Sequence, residues 1–300
     1  MKRVIITGVT GQDGFLLKKF LEKKKFLILG LSRKSHKSKN IIKTDYTQNS
    51  LKKIIENFKP NEIYNFTGFT NPSDSWENLG VNFFANLNIT LNFLEILKKK
   101  KNIKFFNASS SEIFAESRKN LDEHSKIFPM SPYGIAKSAS YFLINAYRKK
   151  YGLFLINGIL FNHSSFLSKE TYLLKYLLSS CNEVKKNNIK KIIIKDSRPI
   201  RDFGCAHDFI EYIYKLMQLK KSDNYIISSG KSYSVKQIVQ IYKKKFKLTD
   251  SNFKFINKLD FKNVFKSRRS NNNKLLKTLK IRSTKKIPEI VDMMKRELKI

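Results

Sequence analysis

The feature that most restricts the fold is a glycine triplet set directly behind a short apolar strand pattern. Residues 3–7 read Arg-Val-Ile-Ile-Thr, run into Gly8-x-x-Gly11-x-x-Gly14, and lead to a helical pattern over 13–24. A strand that turns through glycines straight into a helix opens a βαβ unit. The missing side chains let the backbone approach a pyrophosphate, which then faces the unpaired N–H groups of the helix. Tight turns also use glycine triplets, so the placement after the first strand carries the argument.

The alternation continues. Strand patterns at 26–31, 62–66, 104–108 and 153–160 are separated by helical patterns at 48–58, within 75–99 and at 132–151. Apolar strands alternating with helices imply an α/β fold: a Rossmann-type, doubly wound parallel sheet buried on both faces. Beyond about Asn162 the alternation loosens. Helical stretches near 170–186, 206–218 and 235–245 mix with short strands at 191–195 and 225–228. This pattern predicts a cofactor-binding domain over 1–162 and a smaller C-terminal α/β substrate lobe over 163–300, joined as a single compact body.

Chemistry concentrates in two segments. Ser131-Pro132-Tyr133-Gly134-Ile135-Ala136-Lys137 places a phenol and an ammonium four residues apart at the start of a helix, hence on one face. The positive charge favours phenolate over phenol, which suits proton removal from a carbinol. Most Tyr/Lys pairs at this spacing are surface residues; the glycine loop and Ser109-Ser110-Ser111-Glu112 shift the balance. That serine-rich segment follows the strand ending at Ala108, on the side where ligands bind in open α/β sheets. Ser110 can hydrogen-bond the oxygen that Tyr133 deprotonates. Glu112 adds a second acid–base group, of use for removing a proton next to a new ketone, and is otherwise a solvated loop carboxylate. The second strand ends at Leu31-Ser32-Arg33-Lys34, basic where an acid would bind a ribose 2′-hydroxyl, so NADP is expected over NAD, which remains possible. Asp45 is placed to meet the adenine end.

Lys and Arg total 60 against 24 Asp and Glu, a formal charge of +36 that invites a nucleic-acid reading. The lysines, however, form short runs at 23–25, 98–101 and 243–245, near the ends of predicted helices, where cations are favourable. No nucleic-acid motif accompanies them, and the Asn, Ile and Phe enrichment matches AT-rich coding. Nucleic acid is therefore an unlikely partner. Two cysteines, Cys181 and Cys205, fit neither a disulfide framework nor a zinc site, and no metal is expected. No stretch has the apolar length of a membrane span, and residues 1–7 lack a signal-peptide core. A cytoplasmic location without membrane contact is the expectation.

The glycine loop, the Tyr-x-x-x-Lys pair and the strand order resemble the extended short-chain dehydrogenase/reductase superfamily. More narrowly, Gly8-Val9-Thr10-Gly11-Gln12-Asp13-Gly14, Asn157-Gly158-Ile159-Leu160-Phe161-Asn162-His163 and Arg201-Asp202-Phe203-Gly204-Cys205-Ala206-His207-Asp208 resemble the GDP-mannose 4,6-dehydratase family, over roughly 1–240. The resemblance implies a cofactor cradle from Gly8, Thr10, Gly11, Gln12, Asp13 and Gly14, with His163 closing over the nicotinamide. It implies Ser110 as hydroxyl partner, Glu112 as acid–base group, Tyr133 as general base and Lys137 as its activator and ribose anchor. Asn162 would contact the sugar diphosphate and Arg201 neutralise it, with Arg268 or Arg269 a second clamp. The implied substrate is a nucleotide sugar, GDP-mannose favoured, converted to a 4-keto-6-deoxy sugar with the cofactor recycled. A homodimer or homotetramer is implied as well.

Three departures concern substrate binding. Ser164-Ser165-Phe166-Leu167-Ser168-Lys169 stands where the family has an acidic residue, a proline and paired arginines. Phe69-Thr70-Asn71-Pro72 replaces a Gln-Ser-His segment, and the C-terminal nucleotide clamp is shortened to Ser267-Arg268-Arg269-Ser270-Asn271. Rival readings are a 4-epimerase, a decarboxylase or a 4-keto reductase of the same fold and, from another class, a non-catalytic nucleotide- or RNA-binding protein.

Overall fold

A computed structural model describes residues 1–68, 75–256, 267–282 and 284–300. In chain order the elements begin β1 (Arg3–Thr7), α1 (Gln12–Glu22), β2 (Leu27–Ser32), β3 (Ile41–Lys43), α2 (Gln48–Phe58) and β4 (Glu62–Asn65). Helix α3 (Leu79–Phe83) passes through a π-helical turn (Phe84–Asn88) into α4 (Ile89–Leu97). Then come β5 (Lys104–Ser110), a 3-10 turn (Ser111–Ile113), β6 (Asn120–Leu121), α5 (Pro132–Tyr151), β7 (Leu155–Leu160) and β8 (Asn162–Ser164). The remainder is α6 (Leu173–Lys185), β9 (Ile192–Ile194), β10 (Ile200–Cys205), α7 (Ala206–Met217), β11 (Asn224–Ile227), β12 (Ser232–Ser234), α8 (Val235–Phe246), β13 (Phe253–Phe255), β14 (Ser267–Ser270), α9 (Asn273–Leu279) and α10 (Ile287–Leu298).

Local chemistry sets the helix ends. Ser131 caps α5 by accepting from the Gly134 amide, Pro132 fills the first turn, and Gly152 ends the helix in the left-handed region. Ser234 and Gln237 form a reciprocal capping box on α8, whose last turn carries Lys243, Lys244 and Lys245. The lysine runs do lie at helix C-termini.

The main sheet has the order β11-β7-β5-β4-β1-β2-β3, and every pairing in it is parallel. The chain winds outward from β1 through β2 to β3, then returns to the other side of β1 at β4. That reversal between β1 and β4 is the switch point where open α/β sheets bind ligands. One row of polar side chains crosses the sheet in register. Thr7 pairs with Asn65, Asn65 with Asn107, Asn107 with Asn157, and Asn157 with Asn224. Thr7 Oγ1 donates to Asn65 Oδ1 (2.7 Å), Asn65 Nδ2 to Asn107 Oδ1 (3.1 Å), Asn107 Nδ2 to Asn157 Oδ1 (3.4 Å), and Asn157 Nδ2 to Asn224 Oδ1 (3.1 Å). Thr90 of α4 and the Tyr141 carbonyl of α5 join the row, so it ties both helices to the sheet. Around it packs an apolar core that includes Ile5, Leu31, Phe93, Phe105 and Leu155.

The chain packs as two units. The first holds Met1–Ala115, Glu123–Leu160 and Ile210–Ile227; the second holds Glu116–Asp122, Phe161–Phe209 and Ser228–Ile300. These units differ from a division at 162/163 at 116–122, at 161–162 and at 210–227, for a reason visible in strand pairing. The strand expected at 225–228 is β11, which adds to β7 at the edge of the main sheet, and β6 at 120–121 adds to β14 in the second unit. In that second unit β12, β14 and β8 all pair with β10, β9 pairs with β13, and α6, α8 and α10 bury Leu177, Cys181, Ile238, Tyr242, Ile290 and Met294. Among the described residues no helix is long and apolar enough to cross a membrane.

Replacing Asn107 by leucine removes the acceptor shared by Asn65 Nδ2 and Thr90 Oγ1 and the donor to Asn157 Oδ1 in a buried layer, where each unpaired group costs about 1–3 kcal/mol. Urea denaturation of Asn107→Leu is expected to show a stability loss on the order of 2–4 kcal/mol.

Candidate active site

Gly8, with φ +62°, turns the chain at the end of β1, and its carbonyl accepts from the Gly11 amide at 2.9 Å. A Cβ on Gly8 would stand 2.8 Å from the Phe66 carbonyl oxygen, and one on Gly14 2.3 Å from the Gly8 oxygen. Both glycines are therefore demanded by close backbone approach. Thr7 Oγ1 accepts from the amides of Phe66 and Thr67, locking the turn after β4 beside the loop. Gly11 is the N-cap of α1, with Gln12 and Asp13 in its first turn and Thr10 exposed just before it. A bare, glycine-lined loop at a helix N-terminus, at the sheet's switch point, fits a dinucleotide pyrophosphate.

Arg33 and Lys34 lie exposed just past β2. Asp45 is committed to local structure: its Oδ1 accepts from the amide and hydroxyl of Thr47, the N-cap of α2. These bonds, the Thr47 amide foremost, hold its carboxyl below the ordinary range.

Ser110 is the last residue of β5, and its Oγ accepts from the Glu112 amide at 3.2 Å. This bond closes the 3-10 turn that carries Glu112. Tyr133 and Lys137 are both buried on α5. A Cβ on Gly134 would lie 2.4 Å from the Glu112 carbonyl oxygen, so only glycine lets that turn dock against the first turn of α5. Ser110, Glu112, Tyr133 and Lys137 thus gather where β5 and α5 meet.

Lys137 Nζ donates to the Ala108 carbonyl (2.8 Å) and stands 5.9 Å from the Tyr133 ring centroid. Burial lowers its pKa from the ordinary 10.5 to about 8. It stays mostly charged at neutral pH but gives up its proton more readily than a free lysine.

Three residues escaped the sequence reading, Gly68 and Asn86 together and Ser75 apart from them. A Cβ on Gly68 would sit 2.2 Å from Asn86 Oδ1 and 3.2 Å from Lys137 Nζ, so Gly68 lies between them. Asn86 is buried in the π-helical turn, and its Oδ1 has no hydrogen-bond partner among the described residues. π-turns concentrate at functional sites, but residues 79–97 read as an uninterrupted helix in sequence. Ser75, whose Oγ accepts from the Tyr133 amide (3.2 Å), is the third. The 69–72 departure lies outside the described residues.

In the second unit, Asn162 and His163 lie on β8. His163 Nδ1 donates to the Phe161 carbonyl (2.7 Å), and the ring packs on Phe209 at 4.7 Å. Arg201 Nη2 and Nη1 reach the two Glu116 carboxylate oxygens at 2.6 and 3.2 Å, while Arg268 Nη2 is 3.6 Å from Oε1. Arg201 is thus ion-paired within its own chain. Arg268, rather than Arg269, converges on it.

A doubly wound parallel sheet, a glycine loop at its switch point and a buried Tyr-x-x-x-Lys pair define the short-chain dehydrogenase/reductase class. The model of the GDP-mannose 4,6-dehydratase family matches residues 5–294, and the chain belongs to that family. The match extends past the 240 limit that the recognisable motifs suggested. GDP-mannose 4,6-dehydratase of Vibrio cholerae is 28% identical over 263 residues, spanning 80% of this chain and 70% of that one. Among solved structures, dTDP-glucose 4,6-dehydratase from Bacillus anthracis in complex with NAD has a TM-score of 0.84 at 16% identity, covering 100% of this chain and 98% of that chain. RMD from Pseudomonas aeruginosa complexed with NADPH has a TM-score of 0.84 at 16% identity, covering 100% and 99%.

The Lys137 shift has a stability consequence. Below pH 8 folded and unfolded chains both carry the proton, and the burial penalty, on the order of 3 kcal/mol, is present in full. From about 8 to 10.5 the folded state releases it first, so stability rises with pH. Lys137→Met is expected to be the more stable protein at pH 7, with an advantage that shrinks across that window in denaturation curves.

Proposed function

We propose that this protein is a nucleotide-sugar 4,6-dehydratase acting on GDP-mannose, with the roles implied by its family carried by the gathered residues. The observation that supports this reading is the docking of the Glu112 turn, through its backbone carbonyl, against Gly134 on the helix that carries Tyr133 and Lys137. An alcohol oxidation needs no such carboxylate; water loss does.

Ser110 Oγ holds the sugar O4, and Tyr133 takes the C4 hydroxyl proton. Lys137 stabilises the phenolate and anchors the cofactor ribose. Gly8, Thr10, Gly11, Gln12, Asp13 and Gly14 would cradle a nicotinamide dinucleotide, which would supply reversible hydride transfer, from C4 and back to C6. Once C4 is a ketone, the C5 proton is acidic; Glu112 removes it and protonates the departing C6 hydroxyl, and the proton taken from O4 balances the one that C5 regains when C6 is reduced. The basic pair Arg33 and Lys34 favours NADP, with NAD usable. Asn162, Arg201 and Arg268 bind the sugar diphosphate, guanidinium forks matching its oxygens, and His163 covers the nicotinamide.

The soluble, reducing cytoplasm suits buried free thiols, pushed up to about 12 for Cys181 and about 11 for Cys205. A homodimer is the proposed assembly. Ile135 and Phe142 lie seven apart on α5 and are about half exposed, as are Leu79 and Val81 near the start of α3. Such a stripe on two helices suits helix packing against a second copy.

Incubation with GDP-mannose and NADP is expected to yield a product lighter by one water that forms an enone chromophore in alkali. Unchanged mass with inverted C4 would instead mark an epimerase. Glu112→Gln is expected to cut dehydration about 100-fold or more and abolish solvent-deuterium uptake at C5, while Tyr133→Phe abolishes oxidation itself. By light scattering, the wild type is expected at twice its 35.2 kDa chain mass and Phe142→Glu at the chain mass.

A further inference from the structure

Tyr46 adopts a backbone conformation that its own segment does not explain. Seven non-glycine residues among those described have positive φ. Lys59, Lys247, Lys280 and Lys299 are helix C-caps, and Lys25 and Asn187 closely follow α1 and α6, where a left-handed residue is ordinary. Tyr46, at φ +62°, lies instead between β3 and α2. A bulky aromatic residue is strained there, and such strain persists only where the surroundings enforce it. They do. The Tyr46 amide donates to Thr44 Oγ1 (3.2 Å), and Asn92 Nδ2 of α4 donates to the Tyr46 carbonyl (2.9 Å).

The conformation sends the ring inward. Tyr46 is 1% exposed and packs in the core with Ile5 of β1 and Leu31 of β2. Phenylalanine would fill that space without burying a hydroxyl, which is costly unless it is hydrogen-bonded. The hydroxyl reaches the Gly8 backbone and the Thr67 side chain and feels the Arg33 charge. Burial pushes the phenol above its ordinary pKa, so it stays protonated and can donate. Thr67 is fixed in the turn after β4, where its amide donates to Thr7 Oγ1. Its own Oγ1 is buried and makes no hydrogen bond of normal length. Two hydroxyls thus lie close together beside the Gly8 turn, at the switch point, without closing on each other. A buried hydroxyl in that state needs a partner that the free chain does not supply.

We propose that Tyr46 and Thr67 form a hydroxyl pair that completes its hydrogen bonds on an oxygen of the bound nicotinamide dinucleotide, in its adenosine half, and thereby sets cofactor affinity. This rests on the dinucleotide cradle described above and is independent of which sugar nucleotide is the substrate. The glycine loop offers the cofactor backbone N–H groups; the pair adds side-chain donors from beside the same turn. The adenosine half follows from position, because the phenol lies between the Gly8 turn and Arg33, the residue expected at the ribose 2′-phosphate. The strain at Tyr46 then has a use: it aims the hydroxyl at the site.

The test is titration of NADPH and of adenosine 2′,5′-bisphosphate into wild type, Tyr46→Phe, Thr67→Val and the double variant, each stripped of retained nucleotide, with thermal melts of the free proteins. Each single variant is expected to weaken both ligands about threefold to tenfold, the worth of a neutral hydrogen bond. The double variant is expected to lose little more than the weaker-binding single, since the hydroxyls act as one unit. The free variants are expected to melt at or above the wild-type temperature, because each lacks an incompletely bonded buried hydroxyl. Unchanged affinity in both single variants overturns the proposal. So does weaker binding accompanied by a lower melting temperature, which marks the pair as structural support only. Should Tyr46→Phe not fold, Thr67→Val carries the same expectations and the same refutation. The wild type separates the two levels of failure. If it binds neither ligand, the cradle falls and the pair with it; if it binds both and the variants match it, only the pair falls.

Discussion

The hydrogen-bonded row from Thr7 through Asn65, Asn107 and Asn157 to Asn224 sets the register on which every functional position in the first unit depends. A parallel strand can slide along its neighbour and keep an apolar match, because its residues are apolar almost throughout. Amides cannot. A slip of one residue would turn them to the opposite face and leave buried donors and acceptors unpaired, at about 1–3 kcal/mol each. Thr7 and Asn65 are the last residues of β1 and β4, so pinning them also pins the Gly8 turn and the Phe66–Thr67 turn that flank the switch point. Through Thr90 and Tyr141 the same row seats α4 and α5, and α5 carries Tyr133 and Lys137.

On that frame the site is built by backbone approach as much as by side chains. Gly14 lets α1 close on the Gly8 turn, and Gly134 lets the Glu112 turn close on α5. Each position holds the functional group of a neighbouring segment rather than one of its own. Burial of Lys137 works against stability at neutral pH, the kind of local cost that persists where chemistry requires it. The second unit handles charge differently. There strand register sets Arg201 beside Arg268, and Glu116 is ion-paired with Arg201.

Much of the first unit was legible because its signals are local. The glycine spacing, the alternation of apolar strands with helices, and Ser131-Pro132 at the head of α5 each act over a few residues, and each element formed close to its expected bounds. Signals that act across the chain were not legible. The strand at β11 has the same apolar look in either unit, and only its pairing with β7 assigns it. Asn86 and Gly68 look ordinary in sequence, since a π-turn and a close approach leave no periodic mark. Asp45 shows no sign in sequence that its carboxylate accepts from the amide and hydroxyl of Thr47, the N-cap of α2.

The amino-acid order by itself determined the doubly wound sheet, the phosphate-facing loop and the identity of the four groups expected to do chemistry, because short-range sterics and periodicity dictate these. Tertiary structure alone decided which chain segments share a unit, that Arg268 and not Arg269 meets Arg201, and that Glu116 stands between them. Those outcomes depend on strand register between residues far apart in the chain, and register is set by pairing and burial that no local pattern encodes.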